Sequence, residues 1–85
     1  MSWYTYILTC KDGSYYVGIA NNLERRVALH NSGRGSKYLL SKLPVALIHS
    51  EELPDKSSAR IREIQLKGWT GQKKKKLIKG FLKSV

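Results

Sequence analysis

The side chains here that could do chemistry are two phenols, Tyr6 and Tyr16, a guanidinium and an imidazole one helical turn apart, Arg26 and His30, and an isolated carboxylate, Glu63. An arginine and a histidine at that spacing can reach together into a pocket from a rigid helical support. They also admit a plainer reading, in which Arg26 lays its stem along the core edge and His30 closes it. Glu63 shares a helix side with Ala59 and Leu66. A carboxylate at such a buried edge needs a partner, either a cation from this lysine-rich chain or a metal ion. The two tyrosines can act as a pair only if the backbone sets them on one face.

Both tyrosines lie in Tyr4 to Ala20, YTYILTCKDGSYYVGIA, two strand-like runs around a Lys-Asp-Gly-Ser turn. The β-branched and aromatic content and the Asp12-Gly13 pair predict a tight antiparallel hairpin. Facing residues in such a pair have numbers of constant sum. Tyr6 and Tyr16 therefore share a face when that sum is even, as with a three- or five-residue loop, and are separated by a two-residue Asp12-Gly13 turn. Pairing them requires a bulge or a longer loop with Gly13 in the left-handed region. The first strand, Trp3 to Cys10, alternates Tyr4, Tyr6, Leu8 and Cys10 with Trp3, Thr5, Ile7 and Thr9. Both sets are largely apolar, so a central strand covered on both sides is expected. In the second strand, Tyr15 to Ala20, Gly18 leaves a gap that could reflect a bulge, close packing, or room for a phosphate or substrate backbone.

Asn21-Asn22 offers an N-cap to a helix over Leu23 to His30, which places Leu23, Arg26, Val27 and His30 on one side and Glu24 among arginines on another, as a solvated ion-pair partner. Asn31 to Tyr38 then breaks the helix with two glycines and combines Arg34 and Lys37 with the Tyr38 ring. Such a loop can follow a phosphate backbone and stack a base, or simply connect. A helical turn over Leu39 to Lys42 precedes Pro44 and a third strand, Val45 to Glu51; Glu51 to Asp55 reads as an acidic, solubilising connector. The next helix runs from Ser57 or Ser58 to Lys67, capped by Asp55 or Ser57, with Ile61, Ile64 and Gly68 opposite the Glu63 side. Thr70 caps a last helix from Gly71 to about Leu82, in which Leu77, Ile78, Phe81 and Leu82 dock while Lys73, Lys74, Lys75, Lys76 and Lys79 stay wet. Four consecutive lysines are a solvated face and also an electrostatic footprint for phosphates.

Eighty-five residues make one domain with a thin core. Sixteen Lys and Arg against six Asp and Glu give a formal charge of +10. A polyanion is the natural partner, and nucleic acid fits better than an anionic membrane because no stretch joins a strong basic face to a large apolar one. Any hard-metal site must draw on Asp12, Glu24, Glu51, Glu52, Asp55 or Glu63. The single cysteine, Cys10, excludes an internal disulfide and a cysteine-rich zinc site and reads as a small buried strand residue. Without a signal-like N-terminus or an apolar run of roughly 20 residues, a soluble, cytoplasmic protein is expected.

The tyrosine hairpin, the helix after it and the isolated glutamate together resemble the GIY-YIG endonuclease family, particularly its small stand-alone bacterial members. The first motif is similar to Tyr4-Thr5-Tyr6 and the second to Tyr16-Val17-Gly18; Arg26, ten residues after Tyr16, matches the family's catalytic arginine. His30 stands where several members carry a functional histidine, and Ala59-Arg60-Ile61-Arg62-Glu63 resembles the helical segment with the metal-binding glutamate. The resemblance implies hydrolysis of a DNA phosphodiester. Tyr16 would then be the general base, its phenolate favoured by Arg26 and by Mg²⁺ or Mn²⁺ on Glu63, since a free phenol has a pKa near 10. Arg26 would also neutralise the phosphorane charge, with the metal at the leaving oxygen. Tyr6 would hydrogen-bond within the site or orient the phosphate, and His30 would assist proton transfer or position the substrate. Many members place a functional asparagine on a later helix, whereas this sequence has none after Asn31.

The expected architecture is an α+β domain over residues 1–85, a three-stranded antiparallel sheet flanked by helices in the order ββαβαα. The expected function is a metal-dependent endonuclease for single-stranded or structured DNA, with Tyr6, Tyr16, Arg26, His30 and Glu63 catalytic. Gly18, Arg34, Lys37, Tyr38 and Lys73 to Lys76 are the candidate substrate contacts. Specificity would come from these basic loops, an oligomer or a protein partner. The alternatives are a non-catalytic nucleic-acid-binding module and a structural accessory protein.

Overall fold

The structure, a computed structural model, describes residues 2–80. Strand β1 (Trp3–Thr9) occupies the middle of a three-stranded antiparallel sheet, between β2 (Tyr15–Ala20) and β3 (Ala46–Leu53). Its two side-chain sets are both covered. Tyr6, Leu8 and Cys10 form one cluster with Ala20, Leu39 and Val45, over which pack Leu23 and Val27 of helix α1 (Leu23–Asn31). On the opposite face Ile7 and Val17 meet Leu66 of α2 (Lys56–Lys67) and Leu77 of α3 (Gly71–Ile78). Each fully buried aliphatic side chain of this kind contributes about 1.5–3 kcal/mol. The order ββαβαα and the antiparallel sheet are those expected, and the helical turn expected over Leu39 to Lys42 is a 3₁₀ helix, Lys37–Lys42, between α1 and β3.

The hairpin takes the longer of the two expected loops. Tyr6 faces Gly18, Leu8 faces Tyr16 and Thr9 faces Tyr15, leaving Cys10 to Ser14 as a five-residue connection. Gly13 sits at φ +84°, where a side chain would be strained. The Cys10 N–H donates to Ser14 O at 2.8 Å, and Ser14 N–H donates to Asp12 Oδ1 at 3.0 Å. Tyr6 and Tyr16 consequently share a face.

β1 ends at Thr9, α1 ends at Asn31 and β3 starts at Ala46, each one residue from the expected boundary, and three further boundaries differ with more consequence. Strand β3 runs to Leu53, so Glu51 and Glu52 belong to the sheet and are not a solubilising connector. Pairing continues because β1 offers partners as far as Trp3, opposite Leu53, and because the Glu51 charge is met from α2. Arg62 Nε donates to Glu51 Oε1 at 2.7 Å, and His49 Nε2 lies 2.8 Å from Oε2. Burial alone would raise the Glu51 pKa, but these bonds and charges outweigh it and hold the carboxyl below its usual value. Helix α2 begins at Lys56, and Asp55 is its N-cap, accepting from Ser58 N–H at 2.7 Å. Helix α3, capped by Thr70, ends at Ile78, with Lys79 as C-cap and Gly80 at φ +82°. The expected docking of Phe81 and Leu82 lies outside the described residues.

Candidate active site

Gly18 explains how the tyrosine face is built. A methyl group there would lie 2.5 Å from Tyr6 Oη and 2.7 Å from its Cζ. The glycine is therefore required by close packing, and the gap read from the sequence is filled by the phenol of its cross-strand neighbour. Tyr6 crosses β2 in this way, almost fully buried, and shares a 3.0 Å hydrogen bond with His30 Nε2.

His30 arrives from the last turn of α1, whose start is fixed by Asn22 accepting from Arg25 N–H at 3.0 Å. Its other end is tied to the segment entering β3, where Asn31 bonds the Val45 backbone through both amide atoms, at 2.8 and 3.0 Å. The His30 ring is buried, and its Nδ1 has no hydrogen-bond partner among the described residues. Gly35 lies against that ring so closely that a side chain there would collide with Nδ1. Tyr16, half-buried, presents its ring at 71° to His30 with centroids 5.4 Å apart, and lies 6.5 Å from the Tyr6 ring. On its other neighbour, Tyr38, the rings run nearly parallel, 26° apart at 6.3 Å.

The electrostatics connect the remaining members. Burial and the neighbouring Tyr16 push the Tyr6 phenol up to about 12, while the Arg26 guanidinium pulls it down and Glu63 pushes it up. Burial, followed by repulsion from Arg26, lowers the His30 pKa below its ordinary value. Arg26 thus bears on both Tyr6 and His30, and the charge of Glu63, on the helix across the sheet, reaches the same phenol. Glu63 is itself buried, with Arg60 Nη1 at 3.3 Å from one carboxylate oxygen and Lys67 Nζ at 3.2 Å from the other.

The structure therefore brings Tyr6, Tyr16, His30 and Tyr38 into contact and sets Arg26 and Glu63 within electrostatic reach of Tyr6. Arg34 and Lys37 are exposed in the segment leading to Tyr38. Lys73 to Lys76 are carried by α3, which docks on the opposite sheet face, with Lys73 Nζ 4.2 Å from the Trp69 ring centroid. Sequence reasoning missed Arg60 and Lys67 as partners of Glu63, although their spacings, three before and four after, were a usable signal. It also missed Gly35 beneath His30, which no local pattern announces.

A family model for the GIY-YIG catalytic domain matches residues 2–76. The chain belongs to the GIY-YIG family. Its sequence is 47% identical over 75 residues to a UPF0213 protein of Staphylococcus saprophyticus, covering 88% of this chain and 92% of that one. A UPF0213 protein of Natronomonas pharaonis is 43% identical over 75 residues, covering 88% of each. Among solution NMR structures, an E. faecalis protein matches with a TM-score of 0.64 and 40% identity over 95% of this chain and 86% of that one. The UPF0213 protein of Bacillus halodurans matches with a TM-score of 0.59 and 38% identity, over 93% and 84%. The family is one of nucleases that generally use divalent metals, and its catalytic domain points to DNA as partner. The relatives' names assign no particular activity.

Among the described residues no three His, Cys, Asp or Glu side chains are grouped to hold a metal. Glu63 alone does not suit zinc, which takes several nitrogen or sulfur ligands. It does suit Mg²⁺ or Mn²⁺, hard ions that keep several waters, accept one carboxylate and complete their shell with substrate phosphate oxygens. Arg60 and Lys67, both more than half exposed, are the groups that would give way. No helix of the described residues is long and apolar enough to cross a membrane.

Proposed function

We propose that residues 1–85 form one nuclease domain, a metal-dependent DNA endonuclease that hydrolyses phosphodiester bonds in single-stranded or branched DNA. It would act in the cytoplasm, in repair, recombination or DNA processing. The observation that supports this reading is the junction at Tyr6, where two phenols, an imidazole, a guanidinium and the field of a buried carboxylate meet.

In the proposed reaction a water oxygen attacks phosphorus, its proton passes to Tyr16 in its phenolate form, and the bond from phosphorus to the leaving oxygen breaks, that oxygen taking up a proton from solvent water. Tyr16 takes the base role because it is the partly accessible phenol of the pair. Tyr6, raised to about 12, keeps its proton at neutral pH and serves as a fixed hydrogen-bonding group. His30 stays neutral there, and its Nδ1 has no hydrogen-bond partner among the described residues. A bare nitrogen lone pair is tolerated in that position better than a buried, unpaired N–H. Nε2–H accordingly donates to Tyr6 Oη, which frees the Tyr6 hydroxyl proton to meet a phosphate oxygen. Arg26 balances the charge that develops on the phosphorane. A divalent ion on Glu63 would stabilise the leaving oxygen.

The binding-module reading draws on the ion pairs that occupy both Glu63 oxygens. One assay separates the two. Single-stranded, duplex and branched DNA are incubated with the protein and Mg²⁺, Mn²⁺ or EDTA, alongside Tyr16→Phe and Glu63→Ala. We expect metal-dependent cleavage that falls by at least about 100-fold in both variants, the scale of a lost acid–base group. Binding without cleavage in every metal would establish the module instead.

A further inference from the structure

Tyr38 is a large aromatic residue left 60% exposed in a position where it is nonetheless held. Its ring lies 6.3 Å from that of Tyr16 at an interplanar angle of 26°, so it continues the aromatic series that runs from His30 through Tyr16 out to solvent. Lys42 Nζ stands 5.2 Å from the Tyr38 ring centroid and donates to Asp12 Oδ2 at 2.6 Å. The Lys11 N–H donates to Lys42 O at 2.9 Å, which stitches the 3₁₀ helix to the hairpin loop. The platform is therefore anchored to the same hairpin that carries Tyr16, with Arg34 and Lys37 exposed just before it.

We propose that Tyr38 is a nucleobase platform, which stacks the base of a nucleotide flanking the phosphate at Tyr16 and so makes the site selective for an unpaired DNA base. This deepens the endonuclease reading and rests on it for the position of the phosphate. The physical reason for selectivity is that a base in a duplex already has both faces covered by its neighbours, whereas an unpaired base has a face to offer. Stacking on an aromatic side chain is sequence-tolerant, because every base has a π-face. The cations beside the ring add attraction for the backbone without sequence readout.

Binding is measured in EDTA, where cleavage plays no part, using a short oligothymidylate with one 2-aminopurine, the same oligomer with one abasic position walked along it, and a matched duplex. Wild type, Tyr38→Phe and Tyr38→Leu are compared. The expected result is a loss of about tenfold in single-strand affinity for Tyr38→Leu, the scale of one lost stack, with duplex affinity unchanged and Tyr38→Phe close to wild type. An abasic nucleotide at the stacked position should weaken wild type similarly and leave Tyr38→Leu unaffected, and the 2-aminopurine emission should be quenched only when the ring is present. Equal losses on single strand and duplex, or no loss on either, would overturn the platform. Stacking through Tyr38 by a protein that cuts no DNA in Mg²⁺ or Mn²⁺ would remove the endonuclease and keep the platform; cleavage indifferent to Tyr38 would do the reverse.

Discussion

At the scale of single residues, the two glycines that touch catalytic candidates have distinct tasks. Gly18 is needed because the Tyr6 phenol occupies the place of its side chain, and Gly35 because the His30 ring does. Gly18→Ala must therefore displace a buried phenol that bonds His30. We expect a stability loss of about 1–3 kcal/mol from overpacking, read by urea denaturation, and a fall in kcat out of proportion to any change in KM. Wild-type kcat in that variant would mean that the Tyr6–His30 contact has no part in the chemistry. The same two side chains contribute to the pH dependence of the fold at its two ends. Tyr6 ionises near 10 when free and near 12 in the fold, so its contribution is complete below pH 10 and is lost as pH rises through 12. His30 has the opposite sign. Its pKa is depressed in the fold, so stability is present above its ordinary value of 6.5 and declines as pH falls below it. Denaturation midpoints should accordingly drop at both ends, and Tyr6→Phe should flatten the alkaline limb alone.

Among the elements, legibility followed locality. The strands, the caps at Asn22 and Thr70 and the cofacial tyrosines could be read because alternation, capping chemistry and the parity of a hairpin register are local rules. The five-residue loop was one of two admissible answers; a three-residue loop over Lys11 to Gly13 would keep Tyr6 opposite Gly18 as well, and the ladder stops at Thr9 and Tyr15. Glu63 was found because Ala59 and Leu66 share its helix side, while Ile61 and Ile64 face outward, 59% and 64% exposed. Glu51 was misread because its partner Arg62 lies on another element, beyond any local pattern. That difference gives a direct test on β3. Glu51 and Arg62 side chains are only 10% and 11% exposed, so Glu51→Gln leaves a largely buried guanidinium without its counter-charge and should cost about 3 kcal/mol. Glu52→Gln, one residue along on the exposed face, should stay within about 0.5 kcal/mol of wild type. Urea denaturation of the two variants checks both values, and equal effects would show that the Arg62 pair is not an interior one.

For the whole molecule, the proposed function implies that capture by the surplus of ten positive charges and chemistry are separable. The tyrosine cluster occupies one face of the sheet, while α3 docks through Leu77 on the other, so Lys73, Lys75 and Lys76 stay exposed away from the reacting groups. Lysines so placed can follow a strand that leaves the site but cannot touch the phosphate being cut. Neutralising the three to glutamine should then weaken single-strand binding and reduce the slope of log K against log salt by about 2, since each neutralised phosphate contributes about 0.7 on a single strand. At saturating substrate kcat should be unchanged, because the Tyr16 environment is untouched. A salt titration of binding, paired with kcat at low ionic strength, measures both quantities on the same variant. An unchanged slope would show that the strand takes another route, and a fallen kcat would bring α3 into the catalytic step itself.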